Sequence, residues 1–285
     1  MAISADSPTY TILEADGQYP DNILEDRIFN ESPGHPYKIH FLRTSLAPVG
    51  TAYLKPWTEI PKEIRDEVDG LMILKLYLTA EDVELFPKLK VVVRMGLPDY
   101  GTEDVADHAV AAALRAKAFG WNVLFHDPYL PNGADKSIGV ERTKDIKELF
   151  RRSSIISVHC PATRETRGLV NYDLLSILPR GAVLVNTARG EIVDLDSVER
   201  CLRENILAGA GLDVLPTEPI EEPAHSLIQA YRRKEDWLTG RLVLTCHTAF
   251  YSPSSLQEIR EKSAQTMREV LIDRLKSNVI TPDME

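Results

Sequence analysis

The feature that most constrains the fold is an alternation, kept up along most of the chain, of short branched apolar runs with polar, amphipathic ones. Tyr10-Thr-Ile-Leu13, Tyr37-Lys-Ile-His-Phe-Leu42, Gly70-Leu-Met-Ile-Leu74 and Leu89-Lys-Val-Val-Val-Arg94 are bounded by Pro, Gly or charge, which predicts buried parallel strands. Pro61-Lys-Glu-Ile-Arg-Asp-Glu-Val68 and Thr79-Ala-Glu-Asp-Val-Glu-Leu-Phe86 read as intervening helices, with Thr79 as an N-cap ahead of acidic residues. A second series begins near Val105. Its expected strands are Asn122-Val-Leu-Phe-His126, Ile155-Ile-Ser-Val-His159, Ala182-Val-Leu-Val-Asn186, Ala208-Gly-Ala-Gly-Leu-Asp213 and Arg241-Leu-Val-Leu-Thr245. Apolar residues at three- and four-residue spacing predict helices at Asp145-Ile-Lys-Glu-Leu-Phe150, Tyr172-Asp-Leu-Leu-Ser-Ile-Leu178 and Asp196-Ser-Val-Glu-Arg-Cys-Leu-Arg203. A long helix is expected from Pro253 to Leu275, whereas 221–237 reads as a polar insertion. Strands alternating with helices imply an α/β fold with parallel sheets.

Three segments carry the chemistry. Gly181-Ala-Val-Leu-Val-Asn-Thr-Ala-Arg-Gly190, Gly211-Leu-Asp-Val-Leu-Pro-Thr-Glu-Pro219 and Leu244-Thr-Cys-His-Thr-Ala249 each follow or contain a strand-like run. They place Arg189, Glu218 and His247 at successive strand ends, where open α/β sheets keep their ligands. Arg189 can grip a carboxylate with its planar fork, and His247 can give and take a proton because imidazole titrates near neutral pH. Glu218 can hydrogen-bond the second ring nitrogen and favour the charged form. Taken singly, an Arg-Gly turn, a Glu-Pro loop and a strand-end His are ordinary structural features; together and in this order they read as a catalytic set that offers a cation for a carboxylate and an acid for a carbonyl oxygen.

The set resembles that of the D-isomer-specific 2-hydroxyacid dehydrogenases. Leu114-Arg-Ala-Lys-Ala-Phe-Gly120 and Val123-Leu-Phe-His-Asp-Pro-Tyr129 are most similar to the branch containing the C-terminal-binding-protein corepressors, and the likeness runs from about Lys90 to the C-terminus. It implies two Rossmann-like or flavodoxin-like domains: a substrate domain over 1–104, to which 262–285 returns, and an NAD-binding domain over 105–261. It assigns the catalytic roles to Arg189, Glu218 and His247.

On the cofactor side, Asp127 and Pro128 end a strand where the family binds the adenosine ribose; a carboxylate there repels a 2′-phosphate and favours NAD over NADP. The competing reading is an Asp-Pro turn. His159, Cys160, Pro161 and Thr166 are similar to the segment that passes under the cofactor, and Thr187, Ala188 and Asp213 match positions facing the nicotinamide half. His159 and Cys160 read equally well as buried strand residues, and Cys160 has no signature of covalent catalysis. Arg94 and Gly96 fall on the substrate side, although Arg94 could merely cap its strand. Phe250 stands where the corepressor relatives carry a Trp and offers an aromatic wall over the substrate.

The same resemblance exposes two gaps. The family's G-x-G-x-x-G turn precedes the helix matching Ala112-Leu-Arg-Ala-Lys-Ala-Phe119, but here Asp104-Val-Ala-Asp-His-Ala-Val110 runs straight into it. About 50 residues are missing by this analogy, among them the first strand and the phosphate loop, and roughly 20 more between Gly96 and Leu97. Gly96-Leu-Pro-Asp-Tyr-Gly101 does not replace the loop: its glycine spacing differs, and Pro98 removes a backbone donor. It reads as a cleft or hinge turn. The cofactor domain is therefore expected to lack its first strand.

Three readings remain in play: an NAD-dependent oxidoreductase acting on a small 2-hydroxy or 2-oxo acid, an inactive remnant or corepressor-like interaction protein, and a misread or alternatively spliced gene whose complete product is a normal enzyme. Composition narrows the partners. A formal charge of −10 over 285 residues disfavours direct nucleic-acid or anionic-membrane binding. Cys160, Cys201 and Cys246 have no metal-like spacing and cannot complete a disulfide framework, so no metal is expected and a reducing compartment is. No signal-like or membrane-spanning run is evident at the N-terminus or elsewhere, which suits a cytoplasmic or nuclear protein. The family pairs through its cofactor domain, which allows for a homodimer.

Overall fold

The computed structural model describes residues 8–17, 19, 21–30, 37–47, 54–74, 76–95, 102–131 and 133–276. These fall into two compact units, one built from residues up to 95 together with 251–276 and the other from 102–250. Gly96 and the turn expected after it lie outside the described residues.

The N-terminal unit is built on a four-stranded parallel sheet. Strands β1 (Thr9–Glu14), β2 (Lys38–Arg43), β3 (Gly70–Ile73) and β4 (Val91–Arg94) lie in the order β2-β1-β3-β4, with helices α1 (Ile23–Asn30), α2 (Lys62–Arg65) and α3 (Ala80–Val83) between them. That order is flavodoxin-like. Alternate side chains enter opposite faces: Ile12 and Met72 join one apolar cluster, and Leu13 and Leu71 the other, with Trp57, Ile60 and Phe86. Burial on both faces explains why these strands read as continuous apolar runs. Thr79 caps α3 in a reciprocal capping box with Asp82, as its sequence predicts.

In the second unit, α4 (Thr102–Ala118) leads directly to β5 (Leu124–Phe125) without a preceding glycine-rich turn. Then come α5 (Ala134–Ile138), β6 (Glu141–Arg142), α6 (Ile146–Arg152), β7 (Ile155–Val158), α7 (Tyr172–Leu175), β8 (Ala182–Asn186), α8 (Leu195–Arg203), β9 (Leu207–Leu212), α9 (Ser226–Arg232) and β10 (Leu242–Leu244). The strands form two separate parallel sheets among the described residues, β10-β9-β8-β7 and β5-β6. A doubly wound sheet of order 3-2-1-4-5-6 would place its first strand between the counterparts of β5 and β7. Without that strand each keeps one unpaired edge. The exposed Tyr129 hydroxyl donates to Glu165, linking the loop after β5 to the loop after β7.

The larger sheet has a dense core. Leu184, Leu207, Val198, Cys201, Leu202 and Leu175 are almost wholly removed from solvent, and each such aliphatic residue contributes about 1.5–3 kcal/mol through burial. Asp145, Asn171 and Asp194 cap α6, α7 and α8. The polar insertion expected over 221–237 is corrected by α9, which buries Leu227, Ile228 and Ala230, and by a 3₁₀ turn at Asp236–Leu238. Its charges occupy only the outer face.

The chain then returns to the N-terminal unit as α10 (Pro253–Leu271), capped by Ser252 with Pro253 in the first turn. Ala264, Met267 and Leu271, spaced three and four apart, pack into the cluster that holds Ile12, Phe29 and Met72. The helix ends at Leu271 rather than at the expected Leu275. Among the described residues, no helix is long and apolar enough to cross a membrane.

Candidate active site

Two turns at the carboxyl ends of β8 and β9 bring Arg189 beside the loop of Glu218. Asn186 is fully buried; its amide donates to the Arg189 carbonyl at 2.9 Å, and its Oδ1 accepts from the Ala188 N–H at 3.0 Å, folding the turn around a single side chain. Gly190 then passes so close to the next loop that a Cβ would lie 1.9 Å from the carbonyl carbon of Leu215. Only glycine permits this approach. Gly190→Ala is expected to cost about 3 kcal/mol through forced overpacking, read as a lowered urea midpoint. The Arg189 guanidinium donates to the Ala188 carbonyl at 2.7 Å.

His247 has φ of +53°, a left-handed conformation that costs a non-glycine residue on the order of 1–3 kcal/mol unless its surroundings enforce it. Asp213 does the enforcing. Its carbonyl accepts from the His247 N–H at 2.7 Å, its Oδ1 from the Thr245 hydroxyl at 2.5 Å and the Thr248 N–H at 2.9 Å, and its Oδ2 from the Ala249 N–H at 2.9 Å. Burial works against the charge, but the Thr245, Ala249 and Thr248 donors outweigh it and hold the carboxyl below the usual carboxylate range.

Held in this way, the imidazole meets Glu218, with 2.7 Å between His247 Nδ1 and Glu218 Oε2. The other oxygen of Glu218 accepts from the Leu215 N–H at 2.6 Å. Partial burial would raise the Glu218 pKa, yet the His247 contact and the Leu215 amide keep it below its ordinary value. Phe250 stands edge-on to His247, ring centroids 6.1 Å apart and planes at 89°. A fixed imidazole paired with an ionised carboxylate can exchange a proton at its other nitrogen, Nε2.

The remaining expected residues occupy several positions. Asp127 forms a turn, its Oδ1 accepting from the Tyr129 N–H at 2.8 Å and the Leu130 N–H at 3.2 Å, while Arg142 donates to its carbonyl at 2.5 Å. Asp127 and Pro128 line a cavity of about 370 Å³ with His126, Asp135, Arg142, Thr143 and Lys144. Thr166 uses its hydroxyl to staple its own loop, donating to the Pro161 carbonyl at 2.5 Å and accepting from the Thr163 N–H at 2.7 Å. His159 Nε2 lies 2.8 Å from the Ser157 hydroxyl. Burial pushes the Cys160 thiol up to about 11, which keeps it protonated and unsuited to nucleophilic attack. Thr187 is exposed and Ala188 half-buried. Arg94 belongs to the N-terminal unit, exposed at the end of β4 with its guanidinium 5.9 Å from the centre of the Tyr77 ring.

Sequence reasoning did not single out Asn186, Thr245 or the Leu215 amide. Their signal was slight: an Asn closing a strand before Thr-Ala-Arg, and a Thr two residues ahead of His247.

The sequence model for the NAD-binding domain of D-isomer specific 2-hydroxyacid dehydrogenases matches residues 106–249, about half of the chain. The chain belongs to the D-isomer specific 2-hydroxyacid dehydrogenase family. The matched span contains Arg189, Glu218 and His247. The dehydrogenase family chain is 39% identical over 105 residues to a D-3-phosphoglycerate dehydrogenase of Methanocaldococcus jannaschii, covering 37% of this chain and 20% of that protein. It is 31% identical over 166 residues to C-terminal-binding protein 1 of Caenorhabditis elegans, covering 58% and 22% respectively. The matched segments thus span about a fifth of each of these curated relatives. In fold it is similar to a D-lactate dehydrogenase from Treponema pallidum (TM-score 0.69, 21% identity, 95% of this chain and 100% of that one). It is also similar to the Aquifex aeolicus D-lactate dehydrogenase complexed with NAD and lactic acid (TM-score 0.64, 20% identity, 95% and 99%).

Proposed function

We propose that the site serves proton-coupled hydride exchange between NAD(H) and a small 2-hydroxy or 2-oxo acid. The observation that carries this reading is the 2.7 Å pairing of His247 with Glu218 on a turn fixed by Asp213. Arg189 binds the substrate carboxylate through its fork. His247 donates its Nε2 proton to the carbonyl oxygen during reduction and recovers it during oxidation, while Glu218 holds the ring and stabilises its cationic form. Phe250 walls the substrate, and substrate binding is also assigned to Arg94 and Gly96. We assign substrate recognition to residues 1–104 with 262–285, and the cofactor to 105–261.

The fit to the dinucleotide is partial. Asp127 and Pro128 suit the adenosine ribose, while Thr187, Ala188 and Asp213 suit the nicotinamide half, with His159, Cys160, Pro161 and Thr166 between them. The nicotinamide supplies the hydride when bound. The pyrophosphate finds no glycine-rich turn, because α4 begins without one. That mismatch and the divided sheet favour a second reading, a non-catalytic interaction protein of the same family.

Reduction of a panel of small 2-oxo acids by NADH separates the two, and Glu218→Gln identifies the acid. Because Glu218 is held ionised below the usual carboxylate pH, its charge is present throughout the neutral range. Removing it strips the cationic ring of its partner, so the upper pH limit of reduction is expected to move down. An unchanged profile would remove Glu218 from the mechanism.

A further inference from the structure

The N-terminal unit buries a carboxyl group that the proposed chemistry does not use. Glu14, at the carboxyl end of β1, is 0% exposed, and neither of its side-chain oxygens has a hydrogen-bond partner. Its carboxylate fills the space over Gly17, where a Cβ would stand 2.1 Å from Oε1. The Tyr19 hydroxyl and Asn22 Oδ1, on the loop between β1 and α1, are likewise buried without partners. Such groups normally find one, and an unpaired buried charge is especially costly.

Every neighbouring charge is already committed. Asp16 accepts from the Leu74 N–H at 2.7 Å and the Leu76 N–H at 2.8 Å, shaping the segment after β3. Arg260, on α10, pairs with the buried Glu25 of α1 through two contacts of 2.7 Å, reaches Asp21 at 3.3 Å, and lies 4.6 Å from the centre of the Tyr19 ring. Arg43, on β2, donates to the Asp21 carbonyl at 2.8 Å. Asp16, Asp21 and Glu25 already outnumber Arg43 and Arg260, so an ionised Glu14 makes four anions against two cations.

We propose that Glu14 is a proton-held switch of the N-terminal unit, neutral in mildly acidic solution and ionised in alkaline solution, where its charge loosens the Arg260-mediated packing of α10 on α1. Neutral, the carboxyl avoids the cost of an unpaired buried charge. Ionised, it competes with Glu25 and Asp21 for Arg260 or draws water into the core. Burial first, and the Glu25 charge second, raise the group from 4.5 to about 7, against the opposing pull of Arg43 and Arg260. A carboxyl raised in the folded state gives stability that is complete below its unfolded pKa and falls as pH rises from about 4.5 towards 7.

Infrared titration of the 285-residue chain tests this directly. The carbonyl stretch of a protonated carboxyl is expected to persist above about pH 5.5, where ordinary carboxyls have ionised, and to vanish with a midpoint near 7. Glu14→Gln should remove that band and flatten the fall in melting temperature between about pH 5 and pH 8. Arg43→Gln, which takes away a nearby cation, should move the midpoint upward. Absence of the band in the unmodified chain above about pH 5.5, or its survival in Glu14→Gln, would overturn the proposal. So would stabilisation at about pH 8 by potassium chloride over choline chloride that disappears in Glu14→Gln, since a cation would then hold the charge.

Discussion

NADH is expected to bind the 285-residue chain at least about 100-fold more weakly than a version into which a relative's first strand and glycine-rich turn have been inserted ahead of α4. The turn would supply two or more charge-assisted bonds from backbone N–H groups to the pyrophosphate, each worth about 1.5–3 kcal/mol, and about 1.4 kcal/mol is a factor of ten in affinity. In the proposed arrangement Asp127 and the residues after β8 serve the two ends of the dinucleotide and cannot make good a deficit in its middle. Fluorescence titration of both proteins reads the ratio. Equal affinities would show that the start of α4 serves the phosphates without glycines.

In the protein that turns over, whether the unmodified chain or the restored one, His247→Ala is expected to lower the rate of 2-oxo acid reduction by about 10²–10⁴, the range of a positioned general acid. Arg189→Ala should lose a comparable factor, chiefly in kcat/KM, because a bidentate grip on the substrate carboxylate disappears. Stopped-flow measurement of NADH oxidation distinguishes the two, with Arg189→Ala relieved by high substrate concentration and His247→Ala not. Retention of near-normal turnover by His247→Ala would remove it from the chemistry.

Much of the fold was legible because central parallel strands, buried on both faces, need largely apolar sequence, as β3 and β8 have. Helix α9 escaped because two cues were masked: its buried Leu227 and Ile228 lie between acidic and basic clusters, and its N-cap is His225, whose Nδ1 accepts from the Leu227 N–H at 3.1 Å. Helix α1 escaped because one of its two buried residues is Glu25, acceptable there only through Arg260, 235 positions away. Arg189, Glu218 and His247 were legible as motifs, but the means of holding them were not. Asp213 reads as one more strand-end carboxylate until the turn around His247 is folded onto it.

The break between β5 and β7 also bears on what a dinucleotide would have to do on binding. Asp127 follows β5, whereas Thr187, Asp213 and His247 follow β8, β9 and β10. In an uninterrupted sheet, a ladder of backbone hydrogen bonds would run through all these strands and set the span between the adenosine and nicotinamide ends before any ligand arrived. Among the described residues the ladder stops at β7 on one side and at β5 on the other. The ligand itself would have to fix that span, and the entropy of ordering one sheet against the other would be charged to the binding step instead of to folding.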